Sequence, residues 1–530
     1  MNWIDRTIAW VSPERGLKRM HAKQKMNLIG HGAGYGSHGA SSKKKSLMGW
    51  LTRQGSVIED VEYNIPKLRE RSRDLYMGAP LATGALKTIR TNVIGSGLKL
   101  NSQIDYEYLG MTQEEADNWE TRTEREFNLW AESLHCDAQR MNNFYELQQL
   151  AFLSWLMSGD SFTLLPYIER PNMPYDLRVQ IVESDRVCNP RNSPFMDKDH
   201  KILNGVEINK RGEVVAYHIA QNHPNSISYS KNEWKRVRKF GAKTGRHNVI
   251  HLMESERPEQ RRGVPILAPV IESLKQLSRY SEAELMAAVV SGMYTVFITT
   301  NDDKSDGQLP ELYDGEEQVD PYDENSYELG NGAMVQLGEG EDVKEANPGR
   351  PNQAFDGFVT SICRQIGSAI EVLYELLLKH FTSSYSASRA ALLEAWKMFK
   401  MRRTWMSNDF CQPIYEEWLA EAVAKGRINA PGFFEDPLAK KAYAQSEWNG
   451  PSQGQLDPLK EVNAAARRVE EGFSTRTRET IEFGNGDFFR NHTLRVVEER
   501  MRRRDGLAST DESYVEEDPD QTDQQERRGN

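Results

Sequence analysis

The sequence predicts a predominantly helical α+β protein, and three observations carry that expectation. Apolar residues recur at steps of three and four over long stretches near 265–292, 353–380 and 390–423. Short runs rich in β-branched and aromatic residues, separated by turn residues, are confined to Ser161–His251. Between two of the long helical stretches lies an acid-rich insert, residues 301–350, with 15 Asp or Glu against 3 Lys or Arg.

Taken in order, the first sixty residues are loosely patterned, with a low-complexity run HGAGYGSHGASSKKKS from His31 to Ser46. Gly34, Gly36 and Gly39 make a formal GxGxxG, but no strand precedes them and a lysine run follows, so the match does not describe a phosphate loop. Pro66 opens a helix carrying Arg69, Arg71, Arg73 and Lys87, closing at Gly95 and Gly97. Two further helices are expected, an amphipathic one over Glu115–Trp130 and a more buried one over Phe144–Ser158. The strands are SFTLLPYI, LRVQIVES, VEINKRGEVVAYHIA and VIHLM. Lys231–Arg246 holds seven basic residues and one acid, which reads as a solvated loop first and a phosphate contact second.

A long helix begins at Pro265, with Leu267, Val270, Leu274, Leu277, Leu285 and Ala288 on one stripe, and ends near Gly292. Strands are expected at Tyr294–Thr300 and, inside the acidic insert, at Ala333–Leu337. Gln353–Val423 then reads as two long helices joined by a polar hinge, SSYSASRA at Ser383–Ala390. Phe355, Phe358, Val359, Ile362, Ile366, Ala369, Ile370 and Leu373 stripe the first helix; Leu392, Leu393, Trp396, Phe399, Met406, Phe410, Ile414 and Trp418 stripe the second. At about 1.5 Å per residue such helices outrun one small core and suit a molecule built around an axis. Periodicity alone fits a helical hairpin inside an ordinary enzyme as well. Pro431–Pro451 is expected to be irregular; Pro458–Phe473 and Thr477–Arg504 are expected to be helical, the latter basic around Arg500–Arg504. The tail Asp511–Asn530, with 8 acids against 2 bases, has the composition of a disordered segment.

The net charge of −11 is uneven: the insert contributes −12 and the tail −6, leaving the remainder about +7. No run of about 18 apolar residues and no secretory pattern occurs, so the expectation is a soluble, cytoplasmic protein without a membrane partner. Cys136, Cys188, Cys363 and Cys411 form no CxxC pair, and neither disulfides nor structural zinc are expected. No GxxxxGK[ST] phosphate loop is present, and Gly95-Ser96-Gly97 offers too little of a hydrolase elbow. No enzyme activity, metal or cofactor is expected.

Four segments, in this order, resemble the portal proteins of lambda-type tailed bacteriophages: RSRDLYMGAPLATGALKTIRTNVIGSGLKL from Arg71, QRRGVPILAPVIESLKQLSRYSEAELMAAVVSGMYTVFI from Gln260, SYSASRAALLEAWKMFKMRRTWMSNDFCQPIYEEWLAEAV from Ser384, and WNGPSQGQLDPLKEV from Trp448. The resemblance spans roughly residues 60–490. It implies a phage portal fold with wing, stem, clip and crown regions. Residues 1–60 are expected to be a flexible N-terminal segment; the resemblance makes 61–262 the wing body, 263–293 and 353–380 the two stem helices, and 294–352 the clip. Residues 381–389 would be the tunnel loop, 390–450 a wing helix and following segment, 451–506 the crown, and 507–530 the disordered acidic tail. Ser383, Ser384, Tyr385, Ser386 and Ser388 would face a DNA channel.

The resemblance further implies a ring of identical copies, dodecameric in the particle, at one capsid vertex of the virion after assembly in the host cytoplasm. Its partners would be the terminase large subunit, head-tail connector proteins, major capsid and scaffold proteins, and double-stranded DNA without sequence specificity. Two departures stand out. The family's Gly-Val-Pro-Tyr turn is replaced by Glu371-Val372-Leu373-Tyr374, so the helix is expected to run further; and Met77-Gly78 stand where a basic-polar pair is common. A nucleotide-driven DNA enzyme and a non-viral helical scaffold are the alternatives.

Overall fold

The computed structural model describes residues 54–190, 200–226, 233–292, 296–300, 341–345, 354–380, 385–454, 457–484, 486 and 488–507, with scattered positions before residue 53. The chain divides into two units, Met1–Asp60 and Val61–Asn530. In the first, the described residues include a single 3-10 turn at Lys45–Leu47. The second unit is predominantly helical α+β.

The one helix expected after Pro66 is two, α1 (Ile65–Gly78) and α2 (Pro80–Val93). Pro80 lacks an N–H and pushes Ala79 into extended backbone (φ −110°, ψ 110°), so it ends one helix and opens the next at its first turn. After β1 (Lys99–Ser102) come α3 (Gln113–Ala131) and α4 (Phe144–Ser158). Both start with reciprocal capping boxes, Thr112 with Glu115 and Asn143 with Glu146, which satisfy otherwise orphaned backbone donors.

The β portion follows as β2 (Asp160–Leu164), β3 (Gln180–Val182), β4 (His200–Leu203), β5 (Val206–Asn209), β6 (Val214–Ala220), β7 (Trp234–Arg238) and β8 (Val249–Met253). It forms a three-stranded antiparallel sheet in the order β3-β2-β8 and a four-stranded antiparallel sheet in the order β4-β5-β6-β7. Then come α5 (Ile271–Gly292), β9 (Val296–Thr300), β10 (Glu341–Glu345), α6 (Phe355–Ala369), α7 (Tyr374–Leu378) and α8 (Tyr385–Met406). A π turn at Ser407–Cys411 joins α8 to α9 (Gln412–Ala424). Pro413 explains the π turn: its ring and missing N–H are incompatible with ordinary i→i−4 bonding to the preceding turn.

Pro431–Pro451, expected to be irregular, contains α10 (Pro437–Tyr443) and β11 (Ser446–Asn449). β11 pairs antiparallel with β1, Leu100 opposite Trp448, a partner too distant in sequence for local patterning to reveal. The final helices are α11 (Pro458–Glu470), α12 (Arg476–Gly484) and α13 (Phe488–Arg504); the expected single helix over Thr477–Arg504 breaks where Gly484 and Gly486 interrupt it.

Most of the core lies among α2, α3, α4, α8 and α9. Phe127 is its centre, fully buried, with the rings of Trp130, Phe144, Tyr415, Trp418 and Trp448 at 5.1–5.9 Å. Edge-on contacts dominate around it, the favoured geometry for aromatic pairs. A smaller cluster of Phe162, Val182, Val206, Tyr217, Ile219 and Val249 sits between the two sheets.

The stretch 353–380 is not one helix. α6 ends at Ala369, Glu371 takes a left-handed backbone (φ 58°), and the Val372 N–H donates to the Gly367 carbonyl at 2.9 Å. A Cβ at Gly367 would lie 2.4 Å from the Val372 carbonyl oxygen, so glycine here admits the chain's fold-back. The helix expected to run on past Glu371 therefore stops, and the turn is admitted by a glycine four residues earlier. α7 in turn closes on Lys379, also left-handed (φ 54°).

Candidate functional site: a helix pair held by buried charge

The segment leading into α5 is fixed by an ion network with almost no solvent. Asp160, at the start of β2, is fully buried. It accepts from Arg262 Nε at 2.5 Å and Nη2 at 3.3 Å, from Arg69 Nη2 at 3.4 Å and from the Gly263 N–H at 3.3 Å. Arg262 also donates to the carbonyls of Ser184 (2.9 Å), Val187 (2.8 Å) and Asn204 (2.6 Å). Arg69, from α1, donates to the Ser158 carbonyl at 3.1 Å and to Asp185 at 2.9 Å. Burial by itself would raise the Asp160 pKa; the Arg262 and Arg69 guanidiniums outweigh it and hold the carboxyl well below the usual range. Burial keeps His251, 3.7 Å from the same carboxylate, below its ordinary value despite that neighbour.

Backbone fit completes the anchor. Gly159 is left-handed (φ 88°), and a Cβ on Gly263 would lie 1.7 Å from the Gly159 carbonyl oxygen. The two glycine backbones therefore pass at a distance no side chain permits. One turn on, the Ile266 N–H donates to the Leu156 carbonyl at 3.0 Å. One helix end (α4), one strand start (β2) and the root of α5 are tied at a single point.

From this root α5 leaves the core. Leu274 and Leu277 are buried, whereas Leu285, Met286 and Val289 are 66%, 58% and 47% exposed. α6 returns beside it: Tyr280 stacks on Phe355 at 5.5 Å and meets Phe358 edge-on at 5.0 Å. β9 and β10 pair antiparallel, Val296 opposite Glu345 and Thr300 opposite Glu341. The acidic run 301–340 therefore departs and returns on adjacent strands. It lies outside the described residues, as does the strand expected at Ala333–Leu337; the strand paired with β9 is Glu341–Glu345.

Ser383 and Ser384 also lie outside the described residues. Tyr385, Ser386 and Ser388, expected in a loop, belong to the first turns of α8, because Ala387, Arg389, Ala390 and Ala391 are strong helix formers that carry the helix upstream. Trp396 and Phe399 are buried within the subunit and meet edge-on at 5.8 Å, while Trp405 lies against Trp155.

The basic run Lys231–Arg246 is partly neutralised inside the subunit. Arg236 makes a bidentate pair with Glu207 (2.7 and 2.8 Å), the leading cause of a Glu207 pKa lowered to about 2. Arg246 stacks over Tyr167 at 4.1 Å. Lys235 and Arg238 remain exposed on β7, an edge strand.

Other chemistry is accounted for. Glu183, Asp185 and His223 come within metal-binding distance of one another, but Arg69 and Arg73 already pair with these carboxylates and supply the positive charge. The spacing GPSQG at Gly450–Gly454 matches a hydrolase elbow, yet among the described residues no histidine lines the cavity of about 850 Å³ that Ser452 borders. No disulfide joins the four cysteines, and burial pushes the Cys136 thiol up to about 12.

The Asp160 network escapes periodicity-based reading. Its one sequence signal is the run Gln260-Arg261-Arg262-Gly263-Val264-Pro265, two cations and a glycine immediately ahead of a helix, together with an Asp directly after the helix-ending Gly159.

The chain is 24% identical over 491 residues to portal protein B of Escherichia phage lambda, covering 89% of this chain and 90% of that protein. It is also 24% identical over 492 residues to the portal protein of Escherichia phage N15, with the same coverage. Among solved structures, a chain from the neck of an empty gene transfer agent particle, computed with C6 symmetry, is similar with a TM-score of 0.46 and 14% identity, covering 83% of this chain and 98% of that one. A chain from the neck of the native particle, computed with C12 symmetry, gives 0.41 and 14%, over 79% and 92%. Residues 43–403 match the family described as phage portal protein, lambda family, and the chain belongs to that family.

Proposed function

We propose that copies of this chain form a ring, dodecameric in the particle, around an open channel at one capsid vertex, through which duplex DNA enters during packaging and leaves at ejection. Beside family membership, the observation that carries this reading is α5, whose apolar stripe is buried at its root and bare along its outer half. Such a stripe calls for cover, and a head-to-tail contact that closes on itself gives every copy the same neighbour.

In this reading α5 and α6 are the stem, and the acidic run between β9 and β10 is the clip that docks the terminase large subunit and later the head-tail connector proteins. Residues 61–262 with 390–450 form the wing, next to major capsid and scaffold proteins, and α11–α13 form the crown. Ser383, Ser384, Tyr385, Ser386 and Ser388 border the channel. A densely basic bore would retain DNA through counterion release, whereas an acidic collar lets it slide without sequence preference. Energy for packaging comes from the separate terminase.

Electron microscopy of the purified chain tests the proposal: hollow rings are expected, and closed monomers at micromolar concentration would overturn it. An ATP hydrolysis assay with and without DNA is expected to stay at background.

A further inference from the structure

The last helix, α13, has no buried residue, and its two sides differ in character. Leu494, Val497 and Met501 form an exposed apolar stripe on one side. At 3.6 residues per turn, Arg495, Arg500, Arg502 and Arg503 fall on the other. Between α12 and α13 lies a cleft of about 520 Å³, lined in part by Arg476, Arg495, Glu499, Arg500 and Arg503. Four guanidiniums meet one carboxylate there. Glu499 is already engaged by Arg503 at 3.3 Å, whereas Arg476, Arg495 and Arg500 have no carboxylate partner among the described residues. All three are exposed. Several other arginines of the subunit are neutralised in place: Arg236 by Glu207, Arg427 by Glu126 and Arg468 by Glu479. The cleft is thus a local excess of positive charge on a chain whose net charge is −11.

That excess suits one ligand by spacing as well as by sign. From Arg495 to Arg503 the helix advances about 12 Å, at 1.5 Å per residue. Duplex DNA carries a phosphate for about every 1.7 Å of its axis, so about seven lie within that length. Guanidiniums on flexible stems, built to grip phosphate, can each reach one. An extended acidic peptide offers at most one charge per about 3.5 Å, half as many over the same length. It also lacks the condensed counterions whose release drives binding to DNA.

We propose that the cleft between α12 and α13 is a second DNA contact, apart from the residues that border the channel, in which Arg476, Arg495, Arg500 and Arg503 hold phosphates of duplex DNA. It rests on the reading above only in taking duplex DNA as the ligand at hand. Arginines on phosphates position the duplex and carry no sequence information, so every sequence is held alike. Four contacts give a weak, salt-sensitive grip per subunit, which repetition around a ring multiplies. The cleft therefore acts as a brake, in opposition to an acidic collar that lets the duplex slide.

The test measures binding of a labelled 30-base-pair duplex to the full chain across a salt series. A cleft variant changes Arg476, Arg495, Arg500 and Arg503 to Gln. A control variant changes Arg71, Lys87, Lys235 and Arg238, exposed on α1, α2 and β7, so that both lose the same charge. The parent is expected to bind duplex at micromolar concentration near 50 mM salt. The cleft variant is expected to bind at least about tenfold more weakly, with a slope of log affinity against log salt shallower by about 3 to 4, at roughly 0.9 per phosphate contact. The control should stay within about threefold of the parent, because charges more than a screening length from the contact add little. Circular dichroism of both variants should match the parent, since no substituted residue is buried. A parent that binds no duplex overturns the proposal, as does a control variant that loses as much affinity as the cleft variant. A poly-glutamate of equal charge that competes as well as unlabelled duplex assigns the cleft to an acidic protein segment and also overturns it. Hollow rings without duplex binding sink this proposal alone, whereas closed monomers that bind duplex through the four arginines uphold it and sink the ring.

Discussion

Arg262 holds a guanidinium nitrogen 2.5 Å from an Asp160 oxygen, with both side chains withdrawn from water and 102 residues of chain between them. Asp160→Asn leaves Arg262 and Arg69 buried without their shared counter-charge. A loss of about 3–5 kcal/mol in unfolding free energy is expected, measured by denaturant titration. Arg262→Met in the same background should recover part of that loss, because it removes one stranded cation. A single Asn variant within about 1 kcal/mol of the parent would refute the anchor.

Glu120 gives a pH signature of the opposite sense to most carboxylates. Burial pushes its pKa up to about 7 from 4.5, while the Ile104 N–H donating to it at 2.8 Å acts the other way. The folded state thus holds the proton more tightly than the unfolded chain. The stability it lends is complete below pH 4.5 and is lost as pH rises through about 7. Glu120→Gln keeps the acceptor and cannot ionise. It should stabilise the fold at pH 8, by at most about 1 kcal/mol since the carboxyl is half-buried and partly screened, and leave stability unchanged at about pH 4.

Two glycine substitutions should part company. Gly263→Ala drives a methyl into the Gly159 carbonyl and is expected to give aggregated protein. Gly357, in α6, has open space at its Cβ position, so Gly357→Ala should stabilise by about 0.5–1 kcal/mol through helix propensity. Soluble yield and calorimetry of both proteins check this.

Leu285 and Met286 are expected to matter for assembly and not for the fold. The double change to Asp should leave the circular dichroism spectrum and Tm of the subunit unchanged within about 0.5 kcal/mol, as for other exposed positions, while abolishing the high-mass species in light scattering.

Trp396 is 5% exposed, with Arg403 stacked at 5.3 Å over its ring. Trp396→Ala should cost about 3–5 kcal/mol of subunit stability and weaken assembly as a consequence. Intact rings of normal stability that fail only to pass DNA would contradict that assignment.

How far the sequence led depended on the range of each signal. The bounds of α4 were readable from Phe144 to Ser158, because Asn143, Glu146 and Gly159 are local start and stop marks. The strand at Val249–Met253 and the stripe of α5 were equally legible, since periodicity needs only a short window. β11 was not, because its partner β1 lies in a distant part of the chain. Nor was the break after α6: it depends on the Val372 backbone returning over Gly367, a steric fact that no propensity encodes. Of the candidate site, the helix pair and its acidic run were visible, and the ion network beneath it was not. Asp160 looks like any strand-leading acid until Arg69 and Arg262 arrive from 91 and 102 residues away.

Because Thr300 and Glu341 face each other across a strand pair, everything between them hangs from two points about 5 Å apart. Lengthening the chain between those two points costs only a slowly growing closure entropy. An affinity tag or fluorescent reporter spliced in at this seam is expected to leave α5 and α6 folded as they are.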